Sequence, residues 1–163
     1  MIRDWNDPKY CLEAVKRDAF AIRFVKNQTP EMCLQAVKRD GLALRFVKEQ
    51  TPEICLQAVK QYGLALRFVK EQTSEICLAA VKQNGFALED VKEQTHEICL
   101  QAVKEDVLAL KWVKIQTPLI IHYLMKKYNI SLYELYKKEN RITISQKEME
   151  KFYNENPHLL LTL

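Results

Sequence analysis

A period of 22 residues runs through most of this chain without a single insertion. The units are NDPKYCLEAVKRDAFAIRFVKN, QTPEMCLQAVKRDGLALRFVKE, QTPEICLQAVKQYGLALRFVKE, QTSEICLAAVKQNGFALEDVKE and QTHEICLQAVKEDVLALKWVKI, followed by a degenerate QTPLIIHYLMKKYNISLYELYK. A fixed period of this length marks a stack of identical supersecondary units, none of which can bury its apolar face alone. The assignment is one repeat domain over 1–163, with repeats at 6–27, 28–49, 50–71, 72–93 and 94–115, a degenerate repeat at 116–137 and a C-terminal cap at 138–163.

Each unit carries two helix starts. Thr29, Thr51, Thr73, Thr95 and Thr117 are good N-caps, and Pro30, Pro52 and Pro118 follow where proline has no amide to lose. Glu31, Glu53, Glu75 and Glu97 then place a carboxylate in the first turn, favourably to the helix dipole. The first helix is predicted over 52–61 and its equivalents. A second N-cap follows at Asp18, Asp40, Asn84 or Asp106, a series interrupted by Tyr62 and Tyr128. Gly41, Gly63 and Gly85 invite a left-handed helix stop, but Val107 fills the same slot, and a β-branched residue is very unfavourable there. The slot is therefore read as opening a second helix, roughly 41–48.

On a helical wheel the first helix is apolar at Met32, Cys33, Leu34, Ala36 and Val37, an arc of about 200° that requires neighbours on both sides. In the second, Ala43, Leu44 and Val47 form one face, Leu42 and Phe46 a flank, and Arg45 and Glu49 point away. Helices this short persist only when stacked. The fold class is all-α: an α-solenoid of short helical hairpins with about 10 Å of rise per unit, closed by a divergent C-terminal cap. A continuous lipid-lying helix with a stripe at 54, 58, 62, 65 and 69 competes, but it needs neither the second N-cap nor so wide an arc. In the last unit Ile121 takes the cysteine slot, His122 the leucine slot and Glu134 the phenylalanine slot. Ser145 and Glu148 then form a capping-box signature for a final helix to about Asn154.

The run Cys-Leu-Gln-Ala-Val-Lys followed by Gly-Leu-Ala-Leu-Arg-Phe-Val resembles a family of short helical repeats of unknown function found in bacterial, phage and giant-virus proteins. The resemblance is close over 6–115, weak over 116–137 and absent from the tail. It implies the solenoid fold and no catalytic residues.

The chemistry-bearing residues point to binding. Cys11, Cys33, Cys55, Cys77 and Cys99 sit mid-arc, one per unit, too far apart for disulfides and too sparse for zinc. They read as small packed hydrophobes. An odd cysteine count behind a charged N-terminus without a signal-like apolar run suggests a reducing cytoplasm, that of the host cell if the chain is viral or phage-encoded. The longest uncharged apolar run, Ile115 to Met125, is 11 residues, too short to span a bilayer. His96, His122 and His158 have no metal spacing, and His96 fills the proline slot of a helix start. No catalytic residue, metal, cofactor or small-molecule ligand is expected, nor a membrane partner.

The net charge of +4 is carried by the first part of the chain: residues 1–71 hold 13 Lys/Arg against 9 Asp/Glu, and 72–163 hold 12 of each. Six of the seven arginines lie there: Arg3, Arg17, Arg23, Arg39, Arg45 and Arg67. One lysine column runs along the first helices (Lys16, Lys38, Lys60, Lys82, Lys104, Lys126) and another along the second (Lys26, Lys48, Lys70, Lys92, Lys114). In their plainest role these charges form a solvated face, with Arg45–Glu49 and Arg67–Glu71 as i,i+4 pairs. The functional expectation is an interaction surface made of Arg23–Phe24, Arg45–Phe46 and Arg67–Phe68 with Lys38, Lys60 and Lys82, ending where the pair becomes Glu89–Asp90. A non-enzymatic module that binds an acidic protein is favoured, with an inhibitor of a host defence nuclease as one setting. Binding of RNA or DNA through the same columns is the alternative, weakened by Glu49 and Glu71 within the ladder.

Overall fold

The computed structural model describes residues 4–138 and 142–160. Arg3, Arg141 and the outer parts of the assigned domain and cap lie outside the described residues. Five units each pair a ten-residue α-helix with a six-residue 3-10 helix. They are α1 (Pro8–Arg17) with η1 (Ala19–Phe24), α2 (Pro30–Arg39) with η2 (Gly41–Phe46), α3 (Pro52–Gln61) with η3 (Gly63–Phe68), α4 (Ser74–Gln83) with η4 (Gly85–Asp90), and α5 (His96–Glu105) with η5 (Val107–Trp112). Successive α-helices pack on one another, as do successive 3-10 helices, so the fold is an all-α solenoid with no strand among the described residues. The predicted helix over 52–61 is the observed α3.

Local chemistry starts each helix as the spacing requires. Thr51 is extended (φ −89°, ψ 157°), and its hydroxyl accepts from the Ile54 amide at 3.3 Å. Asp40, Asn84 and Asp106 accept from the amide two residues on at 2.8–2.9 Å. Tyr62 occupies that slot without a side-chain cap, as its phenol dictates. The break at Tyr62 also ends any continuous stripe through residues 54–69. Thr117 departs from the series: its hydroxyl bonds His96 Nδ1 at 2.9 Å, and it gives α6 (Pro118–Tyr128) no side-chain cap.

The second helix differs from expectation. It is a 3-10 helix that ends at Phe46, not an α-helix reaching Lys48. Its burial follows a period of three: Gly41, Leu44 and Val47 are buried, whereas Arg45 and Lys48 are exposed. Its termination has a specific cause. Gln28, at the head of the same unit, donates from Nε2 to the Phe46 carbonyl at 2.9 Å and accepts at Oε1 from the Lys48 amide at 2.9 Å. Those two backbone groups are withdrawn from any further helical turn. Gln50, Gln72 and Gln94 do the same to Phe68 and Lys70, Asp90 and Lys92, and Trp112 and Lys114, at 2.8–3.0 Å. This glutamine is a two-pronged staple that ties the head of a unit to its far end, and Gln28 also donates to the Ile22 carbonyl of the unit before at 3.0 Å.

The glycine slot opens η2, η3 and η4 as expected, and no glycine has positive φ. What glycine supplies is close approach. A Cβ on Gly63 would stand 2.5 Å from the Ala80 carbonyl of the next α-helix, where something must give. Gln83 reaches back to accept from the Gly63 amide at 2.5 Å, and Gln61 from Gly41 at 2.6 Å. At Val107 this close approach is absent, since α6 does not pack on η5 as α4 packs on η3.

The end of the stack departs from the repeat. α6 runs on to Tyr128 and stops at Asn129, which is left-handed (φ 51°, ψ 51°). It is followed by α7 (Leu132–Lys138), α8 (Gln146–Glu155) and a short α9 (Pro157–Leu160) that the sequence did not announce. The Ser145–Glu148 capping box is formed, with the Glu148 amide 3.3 Å from the serine hydroxyl. The cap folds back on α6: Gln116 accepts from the Thr143 amide at 2.9 Å, and Met149 and Ile144 are buried. Tyr136 donates to the Ile144 carbonyl.

The staple has a measurable weight. Gln50→Ala leaves the Phe68 carbonyl and Lys70 amide without their partner and should cost about 2 kcal/mol. Gln57→Ala removes a side chain with no hydrogen bond among the described residues and should cost far less. Urea denaturation of both variants compares them, and equal midpoints would remove the staple from this account.

Candidate binding faces

The residues singled out in the sequence divide between two sets of helices. Arg23, Phe24, Arg45, Phe46, Arg67 and Phe68 lie on η1–η3, while Lys38, Lys60 and Lys82 lie on α2–α4. Among the described residues no hydrogen bond, ion pair or ring contact joins the two sets.

The Arg–Phe pairs form an internal ladder. Arg23 lies 4.5 Å above the Phe24 ring, and Arg45 lies 5.0 Å from Phe46 and 5.6 Å from Phe68 in the next unit. Phe46 also meets Phe20 edge-on at 6.0 Å. The expected Arg45–Glu49 and Arg67–Glu71 pairs are not what these arginines make. Arg67 reaches across to Asp90 at 3.4 Å, so the change from phenylalanine to aspartate exchanges a cation–π contact for an ion pair. Its arginine is half exposed, so the pair is worth at most about 1 kcal/mol. Phe24, in the first described unit, is 47% exposed and is met by Trp5 at 5.1 Å. The ladder thus satisfies itself, and Lys111 over Trp112 at 3.6 Å restores the motif in η5.

The second lysine column is also structural. Lys48 Nζ donates to the Lys26 carbonyl at 2.7 Å, Lys70 to Lys48 at 2.7 Å, Lys92 to Lys70 at 2.8 Å and Lys114 to Lys92 at 3.2 Å. Each ammonium ties its unit to the one before.

The first lysine column divides. Lys16 pairs with Glu13 at 2.9 Å, and Lys104 lies 5.9 Å from the Tyr123 ring. Lys38, Lys60 and Lys82 are exposed and have no hydrogen bond, ion pair or ring contact among the described residues. Beside them run Leu34, Leu56 and Leu78, half-buried although their neighbours Cys33, Cys55 and Cys77 are fully buried. Between α3 and α4 this strip opens into a groove of about 620 Å³, where Leu56, Leu78 and Ala79 adjoin Lys60, Lys82 and Glu75. Sequence reasoning missed the leucines by assigning the whole apolar arc to contacts between units. The signal lay in Ala79, which stands where Gln35, Gln57 and Gln101 stand in other units.

The cysteines occupy the interior. All five are free and buried, and desolvation pushes their thiols above the ordinary value. Cys33, Cys55, Cys77 and Cys99 point Sγ at the staple glutamine oxygen at 3.5–3.8 Å. His122 is buried at 6% exposure and shares a 3.1 Å hydrogen bond with the Tyr153 hydroxyl. No cluster of three or more potential metal ligands occurs among the described residues. Nor is any described helix long and apolar enough to cross a membrane.

Comparison with family models places a likeness on the centre of the stack. Residues 29–74 and 51–95 match the model of a domain of unknown function, DUF4116. The two matches begin one 22-residue unit apart, so the model slides along the solenoid in register with the period. It is a likeness to a repeat-like domain and carries no activity. Among curated proteins and among solved structures, nothing matches.

Two predictions follow from burial. A thiol reagent should label the folded protein only as fast as it unfolds, and all five cysteines at once in urea; prompt labelling of any one would contradict an interior thiol. Burial, then the charge of Lys126, lowers the His122 pKa below its ordinary 6.5. The neutral ring then belongs to the folded state, so its contribution is complete above pH 6.5 and is lost as the pH falls below it. Thermal melts of wild type should fall across that window, and His122→Leu, which restores the residue of the repeat, should flatten the fall.

Proposed function

We propose that this chain is a non-enzymatic interaction module that binds an acidic protein through the exposed face of α2–α4. The observation that supports this most is the trio Lys38, Lys60 and Lys82: three cations in register, without intramolecular partners, along a half-buried leucine strip. Holding like charges in a row is unfavourable to the free protein and favourable to a complex with an anionic surface. The Arg–Phe ladder contributes in a second place, since its cations already have aromatic or carboxylate partners. An acidic protein suits this face better than a nucleic acid. Glu75 lies within the groove, and apolar leucine contributes more to a protein interface than to a phosphate backbone. Antagonism of a host defence nuclease in a phage or viral setting is one use of such a module, and it accords with the implied repeat family. A cytoplasmic location accords with five reduced, buried thiols.

Charge reversal of the trio tests the reading better than reversal of Arg67, which would set two carboxylates against each other at Asp90. Lys38→Glu, Lys60→Glu and Lys82→Glu together should abolish co-purification of the native partner while leaving helical circular dichroism unchanged. Undiminished capture would overturn the proposal. Salt-sensitive retention of RNA or DNA on a filter, lost in the same variant, would replace the protein partner by a nucleic acid.

A further inference from the structure

The groove between α3 and α4 suggests what the partner inserts. Its volume, about 620 Å³, suits a short segment or a large side chain, and its floor is apolar. One lining residue departs from the repeat. In units two, three and five the slot holds glutamine; in unit four it holds Ala79, and removal of that longer side chain opens the space beside Leu56 and Leu78. Nothing between units needs the change: Gln35 and Gln57 make no hydrogen bond among the described residues, and Gln101 bonds Glu105 of its own helix, so an alanine there relieves no constraint on the stack. Lys60 and Lys82 flank the opening without partners, and Glu75 is the one carboxylate lining it.

We infer that this groove is a docking site for a short acidic segment of another protein, with an aliphatic side chain seated on Leu56, Leu78 and Ala79 and carboxylates facing Lys60 and Lys82. Glu75 sits in the first turn of α4, whereas the lysines sit in the last turns of α3 and α4. The segment therefore presents its carboxylates toward the C-terminal ends of these helices. This inference rests on the acidic-partner reading and narrows it to one site.

A fluorescein-labelled peptide with one leucine flanked on each side by two glutamates serves as the probe, read by fluorescence anisotropy on the full chain. Wild type should bind it saturably, and binding should weaken with added salt. Replacing the peptide's leucine by glycine, or its glutamates by lysines, should abolish binding. Ala79→Gln restores the side chain that other units carry, so the melting curve should be preserved while affinity falls roughly tenfold or more. Unchanged affinity in Ala79→Gln, or no saturable binding to wild type, overturns the groove assignment. The broader reading fails separately, when the lysine-trio reversal leaves capture of the native partner intact.

Discussion

The stack depends on one side chain per unit, the glutamine at its head. Gln28, Gln50, Gln72 and Gln94 each complete two backbone hydrogen bonds at the far end of their own unit. That pairing fixes where the unit's 3-10 helix ends, because the carbonyl and amide needed for another turn are occupied. It fixes register too, since a slip of one residue would present the wrong backbone groups. The lysine that follows reinforces it by reaching the previous unit's carbonyl. Cysteine suits the slot behind the staple because its small polarizable sulfur packs in the core while facing the glutamine oxygen. A run that looks like a reactive-cysteine motif is therefore the joint of a solenoid.

The period, the first helices and their caps were legible because each rests on local chemistry: a threonine or aspartate beside an amide, a proline where no amide is needed. The 3-10 character was not, because it depends on a side chain 18 residues upstream in sequence. Glutamine at a loop position gives no local sign that it is a staple. The Arg–Phe pairs were legible as a column, but which partner each arginine takes depends on the neighbouring unit. Arg67 is matched to Asp90 only once the stack sets them side by side.

The ends obey different constraints from the middle. In the first described unit, Trp5 covers Phe24. At the other end, Gln116 accepts from the Thr143 amide in the irregular cap segment instead of from a 3-10 helix. With no regular sixth 3-10 helix, η5 lacks its usual neighbour: Leu108 is 61% exposed, and Val113 is less buried than Val47, Val69 or Val91. A solenoid must stop somewhere, and its stopping residues are atypical because one side of the stacking contact is missing.

A repeat array also separates structural from functional variation. Interior units face nearly the same internal environment, so a residue that differs in one of them must answer to something particular there. Asp90 answers to Arg67, an internal partner, and its departure from phenylalanine is accounted for within the fold. Ala79 has no such partner. Gln35 and Gln57 in the same slot bond nothing among the described residues, Gln101 bonds Glu105 of its own helix, and the space beside Ala79 faces outward between two unpaired lysines. A difference that the fold neither requires nor uses is what the proposed docking of an acidic segment between α3 and α4 would account for, away from the cysteines.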